Sequence, residues 1–143
     1  MHVQVDVEQP QVDYIVLSRN IAVHLDNDVL SRWQVEALVI GSSMSYDECW
    51  QKTSRSVIKK MFSDRRNQFL WQLISEMKTE DLETDIVAIY EYARAKYNQI
   101  KDLHSLAVYI CEVSTYSTYQ HIDKAISKLI SMYVTEKRRM RNG

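Results

Sequence analysis

From Val12 onward, apolar side chains recur three and four residues apart, the spacing of one helical face. Tyr14, Leu17, Ile21 and Leu25 open the series, and Asp26-Asn27-Asp28 interrupts it with side chains that prefer caps and turns. A second apolar segment runs from Val29 to Ile40, with Gly41 as the expected break or C-cap. Ser45-Tyr46-Asp47-Glu48 fits a capping box for a helix carrying Trp50, Val57, Ile58 and Met61. Ser63-Asp64 can start the next helix, whose stripe is Phe69, Leu70, Leu73, Ile74 and Met77. Thr79 or Asp81 is the expected cap of a helix with the strongest stripe in the chain: Leu82, Ile86, Ile89, Tyr90, Ala93, Tyr97 and Ile100. Two more stripes follow, from Leu103 to Val113 and from Ile122 to Tyr133. The pattern predicts an all-α fold: a compact bundle of about seven helices around a central apolar helix at about residues 82–97. Residues 1–11, closed by Pro10, read as a flexible leader, 12–136 as a single domain and 137–143 as a basic tail.

Composition supports this reading. Two glycines and one proline are too few for the many turns of a β-rich fold. A length of 143 residues suits one domain with a real core. The net charge of −1 removes the strong electrostatic argument for nucleic acid, so none is expected as a partner. The N-terminus lacks a basic region followed by an apolar run, and no apolar run approaches the roughly 18 residues of a membrane span. A cytoplasmic chain with no transmembrane anchor is therefore expected. Cys49 and Cys111 form no C-x-x-C pair and read as reduced core thiols.

Candidate chemistry is sparse. Glu80, Asp81, Glu83 and Asp85 crowd together, but acids in the first turn of a helix are what the macrodipole favours. His2, His24, His104 and His121 make no H-x-x-x-H pair and none neighbours a cysteine at ligand spacing, so no metal is expected. There is no G-x-S-x-G, and two glycines leave no room for a phosphate-cradling loop. Neither an enzyme nor a cofactor is implied. The basic run Lys137-Arg138-Arg139-Met140-Arg141 reads as a solvated helix end whose cations complement the C-terminal dipole; a targeting signal or a contact with acidic lipids is the competing reading. Trp33, Trp50 and Trp71 fall on helical stripes and read as core.

The segment F-L-W-Q-L-I-S-E-M-K-T-E-D-L-E-T-D-I-V-A-I-Y-E-Y-A-R-A-K, residues 69–96, resembles the homology-1 region of the Bcl-2 family of apoptosis regulators. Glu76-Met77 is similar to the end of that family's first conserved helix, and Ile86-Val87-Ala88-Ile89-Tyr90 to the start of its central one. Val35-Glu36-Ala37-Leu38…Gly41 looks like its homology-3 helix. The family's Asn-Trp-Gly-Arg signature is replaced by Leu82-Glu83-Thr84-Asp85, its Asp after the homology-3 Gly by Ser42, and its membrane tail is missing. A tailless, signature-poor chain looks most like a viral member.

The resemblance implies a Bcl-2-like bundle and helix-in-groove recognition, in which a partner's amphipathic helix lays its apolar residues into a groove. It places Met44, Phe69, Leu73, Met77, Asp85, Val87 and Tyr92 at that groove; either Arg94, Lys78 or Arg65 stands in for the missing signature Arg, or its ion pair is absent. The implied function is non-enzymatic inhibition of apoptosis by sequestering the homology-3 (BH3) helices of pro-apoptotic proteins, in the host cytoplasm or peripherally at mitochondria. A free apolar groove would also admit a homodimer. The second reading is a helical viral adaptor or nucleic-acid-associated protein that uses the basic C-terminal end.

Overall fold

Ser31 starts the helix on which the fold is built. Its hydroxyl accepts from Gln34 N at 3.1 Å, and Gln34 Oε1 accepts from Ser31 N at 2.9 Å, a reciprocal capping box. In the computed structural model, which describes residues 20–142, this helix spans Arg32–Ser45 and every residue from Gln34 to Met44 is buried. A helix buried all round is one that others surround. We label the helices in chain order: α1 (Ile21–Asp26), α2 (Arg32–Ser45), α3 (Asp47–Ser56), α4 (Arg65–Thr79), α5 (Ile86–Lys96), α6 (Leu103–Ser114) and α7 (Ile122–Asn142), with a 3₁₀ turn at Lys59–Met61. Among the described residues the protein is thus all-helical, with seven α-helices and no strand. Helices α3, α4, α6 and α7 pack on α2, while α5 rests on α4 and α6.

The expected central helix at 82–97 is therefore corrected. Helix α5 is peripheral: only Ile89 and Ala93 are buried, and Val87 is 69% exposed. The central position belongs to α2 even though it carries Gln34, Glu36, Ser42 and Ser43, all fully buried. Most of those polar groups are tolerated because they meet partners within the fold. Ser42 Oγ accepts from Thr118 N at 2.8 Å, and the Ser43 hydroxyl reaches Val39 O at 2.7 Å.

Glu36 has the most partners of the four. Its carboxylate accepts from Ser63 N (2.8 Å), Ser63 Oγ (2.7 Å) and Asn67 Nδ2 (2.8 Å), and lies 3.0 Å from Arg32 Nε. Asn67 Oδ1 in turn accepts from the Tyr109 hydroxyl, which accepts from Trp33 Nε1 at 2.8 Å. Arg32 also donates to Met61 O at 2.7 Å and reaches Glu136 at 3.4 Å. One network thus joins α2, the 3₁₀ turn, α4, α6 and α7. Burial pushes the Tyr109 phenol well above its ordinary value, so it stays protonated and can donate.

Local expectations differ at several ends. Gly41 does not stop α2. A Cβ there would lie 1.9 Å from Tyr116 O and 2.6 Å from Val113 O, so this glycine lets the end of α6 approach the α2 backbone. Ser45 ends α2 rather than capping α3, and Tyr46 takes the N-cap position with no side-chain hydrogen bond. Helix α3 stops at Ser56; Val57 and Ile58 lie beyond it and Met61 closes the 3₁₀ turn. Asp64 caps α4 as expected, accepting from Arg66 N at 2.8 Å. Thr79 and Asp81 end α4 instead of starting α5. Asp81 adopts φ 60° while Leu82 N donates to Met77 O (2.9 Å) and Asp81 N to Lys78 O (3.1 Å), the Schellman pattern. Asp85 caps α5, accepting from Ala88 N at 2.9 Å. Cys49 is buried but Cys111 is exposed on α6, which corrects the expectation of two core thiols; both are free. The leader at 1–11 and the helical stripe from Val12 lie outside the described residues as far as residue 19.

Two substitutions test this core. Gly41→Ala is expected to lower unfolding free energy in urea by about 3 kcal/mol, because both blocking atoms are backbone. Glu36→Ala is expected to cost about 3–5 kcal/mol, since it leaves Arg32 and the Ser63 and Asn67 donors without their acceptor.

Candidate functional site

Where α4 turns into α5, the chain forms an acid-rimmed groove. The Schellman turn at Asp81 puts Leu82 and Glu83 at the surface, and Thr84 Oγ1 ties the returning chain to α2 by donating to Met44 O at 2.9 Å. Asp85 then starts α5, so Val87 faces outward beside the buried end of α2 while Ile86 packs against the core. The resulting groove holds 570 Å³ and is lined by Met44, Asp47, Lys78, Glu83, Asp85 and Val87 among others. A second depression of 240 Å³ shares Asp47, Lys78 and Glu83 and adds Trp50, Asp81 and Leu82. Lys78 Nζ donates to Asp47 at 2.6 Å between the two, and that hydrogen bond holds the Asp47 carboxyl below its ordinary value. With Lys78 so engaged, Asp81, Glu83 and Asp85 leave the rim acidic. Its apolar exposure comes from Leu82 and Val87, and near the start of α3 from Tyr46 packed edge-on against Tyr119. Such a surface suits a partner that offers both apolar and basic groups.

The expected groove residues separate in space. Met44, Asp85 and Val87 come together here. Leu73 and Met77 are sealed in the core at 0% and 1% exposure and line no opening. Phe69 stacks edge-on against Tyr97 between α4 and α5, and Tyr92 belongs to the same seam. Arg94 is exposed and paired with Glu91 at 2.5 Å, away from the groove lining.

The α4–α5 seam is organised by Glu76. Its carboxylate accepts from Tyr97 OH (2.6 Å), Lys96 Nζ (3.0 Å), Gln72 Nε2 (3.1 Å) and Tyr92 OH (3.1 Å). Burial alone would raise its pKa, but these donors outweigh it and hold the group at about 2. The seam acts as a clamp between the two helices, with Glu76 on α4 gathering donors from both. Among the described residues no three His, Cys, Asp or Glu side chains converge as a metal site would require.

Residues 29–129 match the model of the DnaB-like helicase N-terminal domain. The chain belongs to this family. The match starts two residues before the Ser31 capping box and ends at Leu129, the last buried residue of α7. It therefore covers most of the packed core, α2 through the first part of α7, and leaves out Ile21 and Leu25 of α1. Neither the curated proteins nor the solved structures give a match.

Membership of the helicase family overturns the resemblance to Bcl-2 proteins, and with it the viral assignment, the apoptosis-inhibitor function and the BH3 partners. The physical reason lies in α5. A five-residue apolar run, Ile86 to Tyr90, carried most of the likeness, and amphipathic helices of any bundle can share such a run. The buried helix of this domain is instead α2, and the Val35–Gly41 segment that looked like a homology-3 helix is its α-helical, fully buried middle. The absence of nucleic acid among the expected partners also loses its support, since the charge balance that carried it averages over an uneven surface. No described helix is long and apolar enough to cross a membrane. Sequence reasoning missed the Lys78–Asp47 pair and the Glu76 clamp, because that pair and the contacts of Glu76 with Tyr92, Lys96 and Tyr97 join residues 16 or more positions apart. It had a usable signal for the core network: Glu36 stands within an apolar run, which requires a buried partner.

Glu76 gives this domain a defined acid sensitivity. A carboxyl held at about 2 rather than 4.5 adds stability above pH 4.5 and loses it as pH falls towards 2. Urea midpoints at pH 7 and pH 3 should therefore fall less in Glu76→Gln than in the wild type; equal acid losses would contradict the clamp.

Proposed function

We propose that this chain is a non-catalytic assembly domain of DNA replication, which associates with a replicative helicase or its loader and with further copies of its own kind. The observation that carries the reading is the family match over residues 29–129, which covers most of the packed core rather than one surface helix. Two features support a role without catalysis. The sequence contains glycine only at positions 41 and 143, so these residues cannot form the Gly-rich phosphate loop of a P-loop ATPase. The acidic side chains that drew attention at the start of α5 serve as caps, a helix stop and the rim of a groove. This reading is nearer to the second of the two sequence-based functions, a helical viral adaptor or nucleic-acid-associated protein that uses the basic C-terminal end, than to the first.

The acid-rimmed groove is the surface through which the domain meets its partner in this proposal. Leu82 and Val87 supply exposed apolar area, and Asp81, Glu83 and Asp85 supply charge for a partner with basic flanks. Light scattering coupled to size exclusion, on the full chain alone and mixed with a DnaB-class helicase, tests the idea. The expected result is a mass above the 16.9 kDa of one chain, or co-elution with the helicase. A strict monomer that neither joins the helicase nor changes its ATP hydrolysis would overturn the proposal. Leu82→Lys with Val87→Lys should abolish association while changing stability by no more than about 0.5 kcal/mol per site, because both side chains are exposed.

A further inference from the structure

The last turns of α7 and the 3₁₀ turn form a second groove with the opposite charge. It holds 550 Å³ and is lined by Lys60, Tyr133, Val134, Lys137, Arg138 and Arg141. Four of these six are cations and none is an acid. On a chain with net charge −1, that concentration is a local choice rather than an average property. The α7 members fall at positions 133, 134, 137, 138 and 141, one face of a helix, so the basic run is presented as a stripe and not dispersed around the axis. Lys60 arrives from a turn more than 70 residues earlier, and its position is set by the core: Arg32 holds Met61 O at 2.7 Å. Arg32 also draws Glu136, the acid next to the run, to 3.4 Å. The same side chain thus places one wall of the groove and occupies the nearest carboxylate.

Tyr133 gives the groove a second chemistry. Its ring is half-buried, with Lys137 Nζ over it at 5.6 Å. Closely spaced cations beside an accessible aromatic face are what single-stranded nucleic acid uses: cations for successive phosphates, a ring for one unpaired base. A duplex could use the cations but has no free base face for the ring. We propose that this groove binds single-stranded nucleic acid, with Lys60, Lys137, Arg138 and Arg141 on the phosphates and Tyr133 stacking against a base. A protein acting beside a helicase would meet such strands as the product of unwinding, although the four cations and the ring would suit a single strand from any source.

Fluorescence anisotropy of a labelled oligothymidylate with the full chain is the test. Binding should weaken with salt, the logarithm of affinity falling with the logarithm of salt at a slope of about −3 for four neutralised phosphates. Arg138→Glu with Arg141→Glu should lower affinity at least tenfold, whereas Arg94→Glu, a charge reversal on α5, should leave it within twofold. Tyr133→Ala should lower affinity about tenfold and Tyr133→Phe should restore it, because the ring and not the hydroxyl stacks. Circular dichroism melting of each variant identifies any that fail to fold; these tyrosine and arginine positions lie outside the sealed core, so folded variants are expected. No binding at low salt, equal loss in Arg94→Glu and Arg138→Glu/Arg141→Glu, or a duplex binding as tightly as the single strand would each overturn the proposal. An RNA oligomer of the same length should bind about as well, since nothing in the groove reads the sugar; a strong preference for duplex RNA would likewise overturn it.

Discussion

A single carboxylate, that of Glu36, sets the terms on which the rest of this domain packs. It is fully buried, and a buried charge is tolerable only when it is paired and its lone pairs are filled. Arg32 pairs with it, and Ser63 and Asn67 fill it. Each donor lies on a different piece of chain, so satisfying Glu36 fixes where the 3₁₀ turn ends, where α4 begins and, through Asn67 and Tyr109, how α6 is rotated. Apolar burial supplies most of the driving force for collapse but is indifferent to register. The network is not, because a hydrogen bond missed by an ångström is lost.

Much of the fold was legible because helix periodicity needs only local information. The stripes of α4, α6 and α7 and the Asp64 cap were readable as they stand. What failed was the inference from apolar density to central position. Asp85–Tyr97 is rich in apolar side chains yet seals only Ile89 and Ala93, whereas α2 seals eleven consecutive residues that include a glutamate and a glutamine. Polar residues can occupy a core when distant partners exist, and distance along the chain is what a local pattern omits. Gly41 shows the same limit: as a residue type it suggested a helix end, but its role depends on the carbonyls of Val113 and Tyr116. Asp81 shows another, taking a left-handed conformation in a chain with almost no glycine to spare. The candidate groove was half-legible for the same reasons: Asp85 and Val87 follow from the start of α5, while Lys78 opposite Asp47 does not.

Opposite charge collects at two places: Asp47, Glu83 and Asp85 line one groove, and Lys60, Lys137, Arg138 and Arg141 the other. Helix α3 opens with Asp47 and Glu48 and closes towards Arg55, and α4 opens with Arg65 and Arg66 and closes at Glu80 and Asp81. Lys78 meeting Asp47 shows which termini are neighbours. A neutral total therefore conceals a polar molecule. That separation explains why formal charge was a poor guide to partners, and why an acid-rimmed groove and a basic one coexist in a domain this small.

The two thiols have unequal lives. Cys49 is enclosed, and burial raises its pKa, so it remains protonated and unreactive at neutral pH. Cys111 faces solvent on α6. The unmodified chain therefore carries one addressable sulfur. A maleimide dye would attach at a single defined point, and distances between labelled copies could be followed by energy transfer with no engineered cysteine. The same asymmetry means that oxidation would link two chains through Cys111, so any disulfide-linked dimer in a non-reducing gel would run through that residue.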